Sequence, residues 1–114
     1  MSQEDEIFDR EAALEQMGGD EELLVELVEV FLEDLPERLR EIREAVARAD
    51  ADGLQRAAHT LKGSVGNFAA RAVYETALEL ENVGKSGDLQ SAGEVCARLN
   101  AQIDLLKAAL ADLR

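Results

Sequence analysis

Apolar side chains recur every three or four positions along almost the whole chain, and this spacing restricts the fold more than any other feature. The longest run follows Asp20 and comprises Leu24, Val28, Phe31, Leu35, Leu39, Ile42, Val46 and Ala49. Such a repeat forms an apolar stripe along one side of an α-helix, and the stripe must pack against other helices to leave water. The pattern therefore predicts an all-α protein.

Capping residues divide this pattern into helices. A short first helix is predicted from Asp9, its N-cap, to Met17, with Gly18-Gly19 as its end. The long second helix follows Asp20 and contains Pro36. We expect this proline to bend the helix rather than divide it, because the apolar stripe continues beyond it.

Three further helices are predicted in the second half of the chain. Residues 50–53 are interpreted as a turn before a third helix with the core stripe Leu54, Ala58, Leu61, Val65 and Phe68. A fourth helix is predicted over residues 71–83, where 84–87 supply the stop signal and the inward residues are Val73, Ala77 and Leu80. Asp88 is expected to cap a last helix with the stripe Leu89, Ala92, Cys96, Leu99, Ile103, Leu106, Leu110 and Leu113.

The connections between these helices are short, so sequential helices should be antiparallel. The predicted architecture is an up-down-up-down four-helix bundle with a short additional N-terminal helix. At 114 residues the chain matches the usual size of one domain, and we expect residues 1–114 to form a single domain.

Charge and cysteine content exclude several classes of function. The chain has 25 acidic and 12 basic residues, and its net charge of -13 disfavours binding to nucleic acid or to anionic membranes. Cys96 is the single cysteine, which excludes an intramolecular disulfide and a cysteine-rich zinc site. No apolar run reaches the roughly 20 residues that span a bilayer, and the acidic start MSQEDEIFDR is unlike a signal peptide. We therefore expect a soluble, cytoplasmic protein.

The single histidine, His59, lies outside the apolar stripe of the third helix. At about 100° per residue it points roughly 140° away from the centre of the stripe, so its ring should face water. Gln55 lies one turn before it, and Gly63 and Gly66 lie one and two turns beyond. Each glycine inside a helix costs about 1 kcal/mol relative to alanine. We interpret the two glycines as clearance for another protein surface; the alternative is a kink or a helix end.

An exposed imidazole is largely neutral near pH 7, so one ring nitrogen can offer its lone pair to phosphorus. Lys62 follows His59 by three residues, and its flexible ammonium can approach the phosphoryl oxygens as negative charge accumulates there. Ser64 and Asn67 flank this patch and can donate hydrogen bonds to the phosphoryl group or to a partner. Spacing alone does not decide between these two roles.

Residues 59–68, HTLKGSVGNF, closely resemble the H-x-L-K-G-S-x-G-N-[LF] signature of histidine-containing phosphotransfer (HPt) domains. The proline-bearing helix before this segment and the two helices after it are similar to the family layout over nearly the whole chain. The resemblance implies that His59 is phosphorylated and that Lys62 steadies the phosphoryl group. It also implies that Gly63 and Gly66 give clearance to a receiver domain. Two positions depart from the pattern, since Ala69 stands where glycine is common and Val65 is larger than the usual residue.

The resemblance implies an intermediate of a two-component phosphorelay. His59 would exchange a phosphoryl group with the aspartate of a response-regulator receiver domain, and a sensor or hybrid histidine kinase would be a further partner. Magnesium is expected only in the receiver partner, so no cofactor is predicted for this chain. The sequence contains no Gly-rich phosphate loop, which predicts a phosphoryl carrier without kinase or ATPase activity of its own. Whether such a carrier counts as an enzyme is left open. A monomer is expected, because transfer needs one exposed histidine.

Two other classes of function compete with this one. A non-catalytic helical adaptor that docks signalling partners is the alternative, and it predicts that His59→Gln leaves signalling intact. A metal or haem protein lacks ligands, since one histidine and one inward-facing cysteine do not form a usual site. We therefore predict no metal site.

Overall fold

The computed structural model describes residues 6–66 and 68–113, and its helices follow the predicted order. They are α1 (Arg10–Gln16), α2 (Glu21–Ala47), α3 (Ala51–Val65), α4 (Arg71–Ser86) and α5 (Ala92–Ala111). The described ranges contain no strand. Helices α2 to α5 form the antiparallel four-helix bundle, and α1 is the additional N-terminal helix that packs against α2. The predicted fold class is confirmed.

Three aspartates begin helices by capping free backbone N–H groups. The Asp9 carboxylate accepts a hydrogen bond from the Ala12 amide at 3.1 Å, and Asp20 accepts one from Leu23 at 3.0 Å. Asp50 accepts one from Gly53 at 2.9 Å at the start of α3. Each cap satisfies a donor that has no partner inside the helix, which fixes where the helix begins. The predicted caps Asp9 and Asp20 are confirmed.

The core lies where the stripes of α2 to α5 meet. Phe68 is buried just beyond α3 and packs edge-to-face on Phe31 of α2, with ring centroids 5.1 Å apart. Helix α2 continues without interruption through Pro36, so the proline does not divide it. The largest fully buried side chains are Phe68, Leu24, Leu35, Leu54, Leu61, Leu80, Leu99, Ile103, Leu106, Leu110, Val28 and Val65.

The prediction for Ala49 is wrong, because α2 ends before this residue. The Asp50 amide donates to the Ala45 carbonyl at 2.9 Å and the Ala49 amide donates to Val46 at 3.1 Å. These two bonds form a Schellman motif, which needs a left-handed residue after the helix. Ala49 takes that conformation, with φ 54°, and is exposed.

Both predicted boundaries of α3 also need correction. Residues 51–53 form the first turn of the helix rather than a separate turn, because Asp50 caps it directly. At the other end the helix stops at Val65, and Gly66 is its C-cap. The alternative interpretation of Gly66 as a helix end is therefore correct, although Phe68 is buried as predicted.

The predicted stop signal at residues 84–87 is wrong in its first three residues, and only Gly87 ends the helix. Helix α4 continues to Ser86, and Gly87 ends it with a left-handed φ of 77°. Gly84 is buried against α3: a Cβ added there would lie 2.6 Å from the Gln55 amide nitrogen and 2.8 Å from the Ala51 carbonyl oxygen. This glycine marks the close approach of two helices rather than the end of one.

The last helix begins later than predicted. The Asp88 carboxylate accepts a bond from the Gln90 amide at 3.1 Å, which makes a local turn instead of a helix cap. Helix α5 starts at Ala92, so Leu89 lies before it, although its side chain still packs on the core. Val95 takes the buried position next to Cys96, which is only half-buried. Burial raises the pKa of the Cys96 thiol above its ordinary 9.0.

Candidate functional site

His59 lies on the outer surface of α3, opposite the residues that this helix buries. Ala58 and Leu61 are fully buried on either side of it in the sequence, whereas 66% of the His59 side chain is exposed. The helical phase explains the contrast, because positions 58 and 61 follow the apolar stripe and position 59 does not. The predicted exposure of the imidazole is confirmed.

One ring nitrogen of His59 is held by a carboxylate that the sequence reasoning missed. His59 Nδ1 lies 3.1 Å from Glu81 Oε2, which belongs to α4. The Glu81 side chain is only 6% exposed, so the carboxylate sits between the two helices. An ionised carboxylate accepts hydrogen bonds only, so Nδ1 donates its proton to Glu81. The lone pair then belongs to Nε2, which is the nitrogen left for chemistry.

A signal for Glu81 was present in the sequence. Residue 81 follows Ala77 by four positions and Val73 by eight, and both of these are buried on the inner side of α4. A glutamate at an inward position of an apolar stripe requires a partner, because an unpaired buried charge is costly. The sequence alone did not identify that partner, since it lies 22 residues away on another helix.

Lys62 is the main partner of this carboxylate. Its Nζ lies 2.8 Å from Glu81 Oε1, and only 18% of its side chain is exposed. The Lys62 ammonium at this distance holds the pKa of Glu81 below its ordinary 4.5, against the opposing effect of burial, and His59 adds to the lowering. Glu81 in turn raises the pKa of Lys62 above 10.5. Glu81 is therefore a carboxylate and Lys62 a cation near pH 7.

Lys85 is a second and looser cation at the same carboxylate. Its Nζ lies 3.8 Å from Glu81 Oε2, the oxygen that also faces His59, and 54% of its side chain is exposed. A shallow depression on this surface is lined by Gln55, Arg56, His59, Thr60, Glu81 and Lys85. The histidine thus lies among basic and polar side chains, although the chain as a whole carries a net charge of -13.

Three of the predicted partner-binding residues, Gln55, Gly63 and Gly66, lie on or near the same surface. Gln55 is half-buried at the edge of the depression, and its backbone contacts Gly84. A Cβ added at Gly63 would meet no atom within 4 Å, so the backbone one turn beyond His59 is open. At Gly66, a Cβ would approach the Tyr74 ring at 3.9 Å, which is ordinary contact.

The remaining two predicted residues are Ser64 and Asn67, and the structure describes only Ser64. The Ser64 hydroxyl donates to the Thr60 carbonyl at 3.1 Å, so its proton is engaged by its own helix. Asn67 lies outside the described residues. Their predicted bonds to a phosphoryl group or a partner stay predictions.

The described residues also bear on metal binding and on insertion into a membrane. No cluster of three or more histidine, cysteine, aspartate or glutamate side chains in residues 6–66 and 68–113 has the arrangement that would hold a metal ion. Within the same ranges, no helix is both long enough and apolar enough to cross a bilayer.

Comparisons with known proteins identify a family and a fold for this chain. A family model described as the Hpt domain matches residues 26–109. The fold is similar to that of histidine-containing phosphotransfer protein B from Pseudomonas aeruginosa PAO1, with a TM-score of 0.85 and 24% identity over 93% of this chain and 92% of that one. It is also similar to the HPT domain of a sensor hybrid histidine kinase from Shewanella, with a TM-score of 0.85 and 17% identity over 96% and 94% of the two chains. No curated protein matches the chain.

Proposed function

Because the chain belongs to the Hpt-domain family, and so performs histidine phosphotransfer in a two-component phosphorelay, we propose that His59 is the residue that carries the phosphoryl group. Hpt domains work with kinases and receiver domains in such relays. His59 is the only histidine of the chain. The assignment rests on one observation: the imidazole is exposed, while a carboxylate holds its Nδ1.

The geometry supports Nε2 as the nucleophile. With the Nδ1 proton donated to Glu81, Nε2 carries the lone pair, and the ring is presented to solvent rather than to the core. When Nε2 bonds to phosphorus, the ring becomes cationic because it keeps its Nδ1 proton. The Glu81 carboxylate lies beside that positive charge and stabilises it. Glu81 therefore acts as a positioning residue that fixes the tautomer and the orientation of the ring.

Lys62 contributes positive charge beside the His59 ring while it stays paired with Glu81. Its ammonium and the His59 ring contact the same carboxylate, through different oxygens. The phosphoryl group would bring negative charge to this surface, and a nearby cation lowers the energy of both the transition state and the phosphohistidine. We keep Lys62 as a phosphoryl-stabilising residue on this basis.

The partner surface is proposed to surround His59 on α3. Gly63 leaves the backbone bare one turn beyond the histidine, so a receiver domain can come close to the ring, and Gln55 and Ser64 border the approach. Arg56 and Lys85 give this surface local positive charge, which complements the acidic phosphoacceptor pocket of a receiver. Magnesium belongs to that pocket in this proposal, and the domain acts in the cytoplasm as a monomer.

The test uses a receiver domain that carries radiolabelled aspartyl phosphate. The expected result is transfer of label to this chain as a phosphoramidate bond, which is labile in acid and stable in alkali. His59→Gln should take up no label while it retains the helical circular dichroism and melting temperature of the wild type. Glu75→Gln, an exposed substitution on α4, is the control and should be labelled normally.

Label that persists on His59→Gln would overturn the assignment. If the wild type binds the receiver but never receives label, the chain is instead an adaptor that docks partners without chemistry. The two outcomes are separated by measuring binding and labelling on the same samples.

A further inference from the structure

Two lysines contact Glu81, and they differ in their distance from the carboxylate and in their exposure to solvent. Lys62 Nζ lies 2.8 Å from Oε1 with 18% of its side chain exposed, whereas Lys85 Nζ lies 3.8 Å from Oε2 with 54% exposed. The Glu81 side chain is 6% exposed. Removing the closer cation would leave a nearly buried carboxylate without its main counterion, which is costly. An exposed and distant pair such as Lys85–Glu81 contributes little, so Lys85 is the cation that can move.

The position of Lys85 is suited to such a movement. It borders the same shallow depression as His59, and Lys62 does not line it. Lys85 and the His59 ring also approach the same oxygen of Glu81, so the ammonium is already next to the imidazole. The four-carbon stem of lysine lets the charge shift by several ångströms without a change in the backbone.

We propose that Lys85 of α4 is a second phosphoryl-stabilising residue, which exchanges its contact with Glu81 for the phosphoryl oxygens when His59 is modified. This inference rests on the proposed function. In the transfer step, the bond between Nε2 and phosphorus forms while the bond from phosphorus to the donor oxygen breaks, and the donor carboxylate leaves with that electron pair. The ring retains its Nδ1 proton and becomes cationic.

The charges of the product favour this exchange. The cationic ring now lies 3.1 Å from Glu81 Oε2 and replaces Lys85 as the counterion of that oxygen. The phosphoryl group brings about two negative charges into the depression that Lys85 borders. Lys85 therefore loses a weak contact that is no longer needed and gains a partner of higher charge.

The test phosphorylates the whole chain with phosphoramidate, a small donor that removes any contribution from a protein partner. Lys85→Gln should acquire phosphohistidine roughly threefold to tenfold more slowly than the wild type, as expected for loss of one exposed charge beside a dianion. Lys85→Arg should restore most of the rate. Lys107→Gln on α5 is the matched control, because it removes the same charge from an exposed lysine of another helix, and it should react like the wild type.

The melting temperature of Lys85→Gln should equal that of the wild type, which separates a role in chemistry from one in folding. Equal rates for Lys85→Gln and the wild type would overturn the inference and leave the assignment of His59 intact. If the wild type and His59→Gln give the same labelling, the proposed function fails and the inference fails with it.

Discussion

Gly63 on α3 and Gly84 on α4 are both helical glycines, but their surroundings are opposite. A Cβ at Gly84 would lie 2.6 Å from the Gln55 amide nitrogen, whereas one at Gly63 would meet nothing within 4 Å. Gly84 is buried and Gly63 is exposed. The first lets two helices approach closely, and the second leaves the outer surface of one helix bare. The role of a glycine inside a helix therefore depends on the atoms that surround it.

The close approach at Gly84 also builds the site. His59 lies four residues beyond Gln55 on α3, and Glu81 lies three residues before Gly84 on the antiparallel α4. Because the two helices run in opposite directions from the contact at Gly84, His59 and Glu81 come side by side, with Glu81 Oε2 3.1 Å from His59 Nδ1. The bare surface at Gly63 continues the same face by one more turn. The crowded region positions the ring, and the open region exposes it to a partner.

The largest expected effect comes from filling the crowded region. Gly84→Ala places a methyl group against backbone atoms of Ala51 and Gln55, which cannot move without separating the helices. We expect the free energy of unfolding to fall by about 2–3 kcal/mol, measured by urea denaturation. Gly63→Ala is the matched control and should raise stability by about 1 kcal/mol, since alanine favours the helix. Equal stability of the two variants would contradict the close packing at Gly84.

A side chain added at Gly63 should slow transfer from the receiver partner and leave the fold intact. Gly63→Gln adds a helix-favouring side chain on the exposed surface, so stability should not fall. Transfer from a phosphorylated receiver should slow by at least roughly tenfold, the equivalent of about 1.4 kcal/mol in the barrier, because the receiver is held away from His59. Labelling by phosphoramidate should be unchanged. A normal rate with the receiver would show that the bare backbone at Gly63 is not needed for its approach.

A third substitution tests a position that has a left-handed backbone but no glycine. Ala69 has φ 52°, and a residue with a side chain is strained there. Glycine, the residue that the family resemblance leads us to expect here, adopts this conformation without that strain. We expect Ala69→Gly to raise the melting temperature and to increase stability by about 0.5–1 kcal/mol. Ala49→Gly, with φ 54°, should do the same, whereas Ala72→Gly inside α4 should lower stability.

The smallest expected effect is the pH dependence of the stability that the Glu81 carboxylate contributes between α3 and α4. The pKa of Glu81 is held below 4.5 in the folded chain, mainly by Lys62. Its stabilisation is therefore fully present above pH 4.5 and is lost as the pH falls through the lower folded value. The difference in unfolding free energy between the wild type and Glu81→Gln should shrink over that range in urea titrations. A difference that does not change with pH would mean that Glu81 and Lys62 are not coupled.

The sequence by itself determined the helical bundle and the exposure of the histidine. Both follow from local periodicity, because the angle of about 100° per residue decides which side chains share a face of a helix. Position 59 lies off the stripe that Leu54, Ala58 and Leu61 occupy, and the structure exposes it. The caps at Asp9 and Asp20 were readable for the same reason, since a cap acts within three residues.

Only the tertiary structure decided what surrounds the ring. Glu81 is 22 residues from His59, and its contact depends on how closely α3 and α4 approach, which Gly84 permits. No local rule distinguishes a glycine that ends a helix from one that admits a neighbouring backbone, so Gly84 was misread as a stop and Gly66 as an interior residue. Helix periodicity is encoded residue by residue, whereas the distance between two helices is a property of both surfaces together.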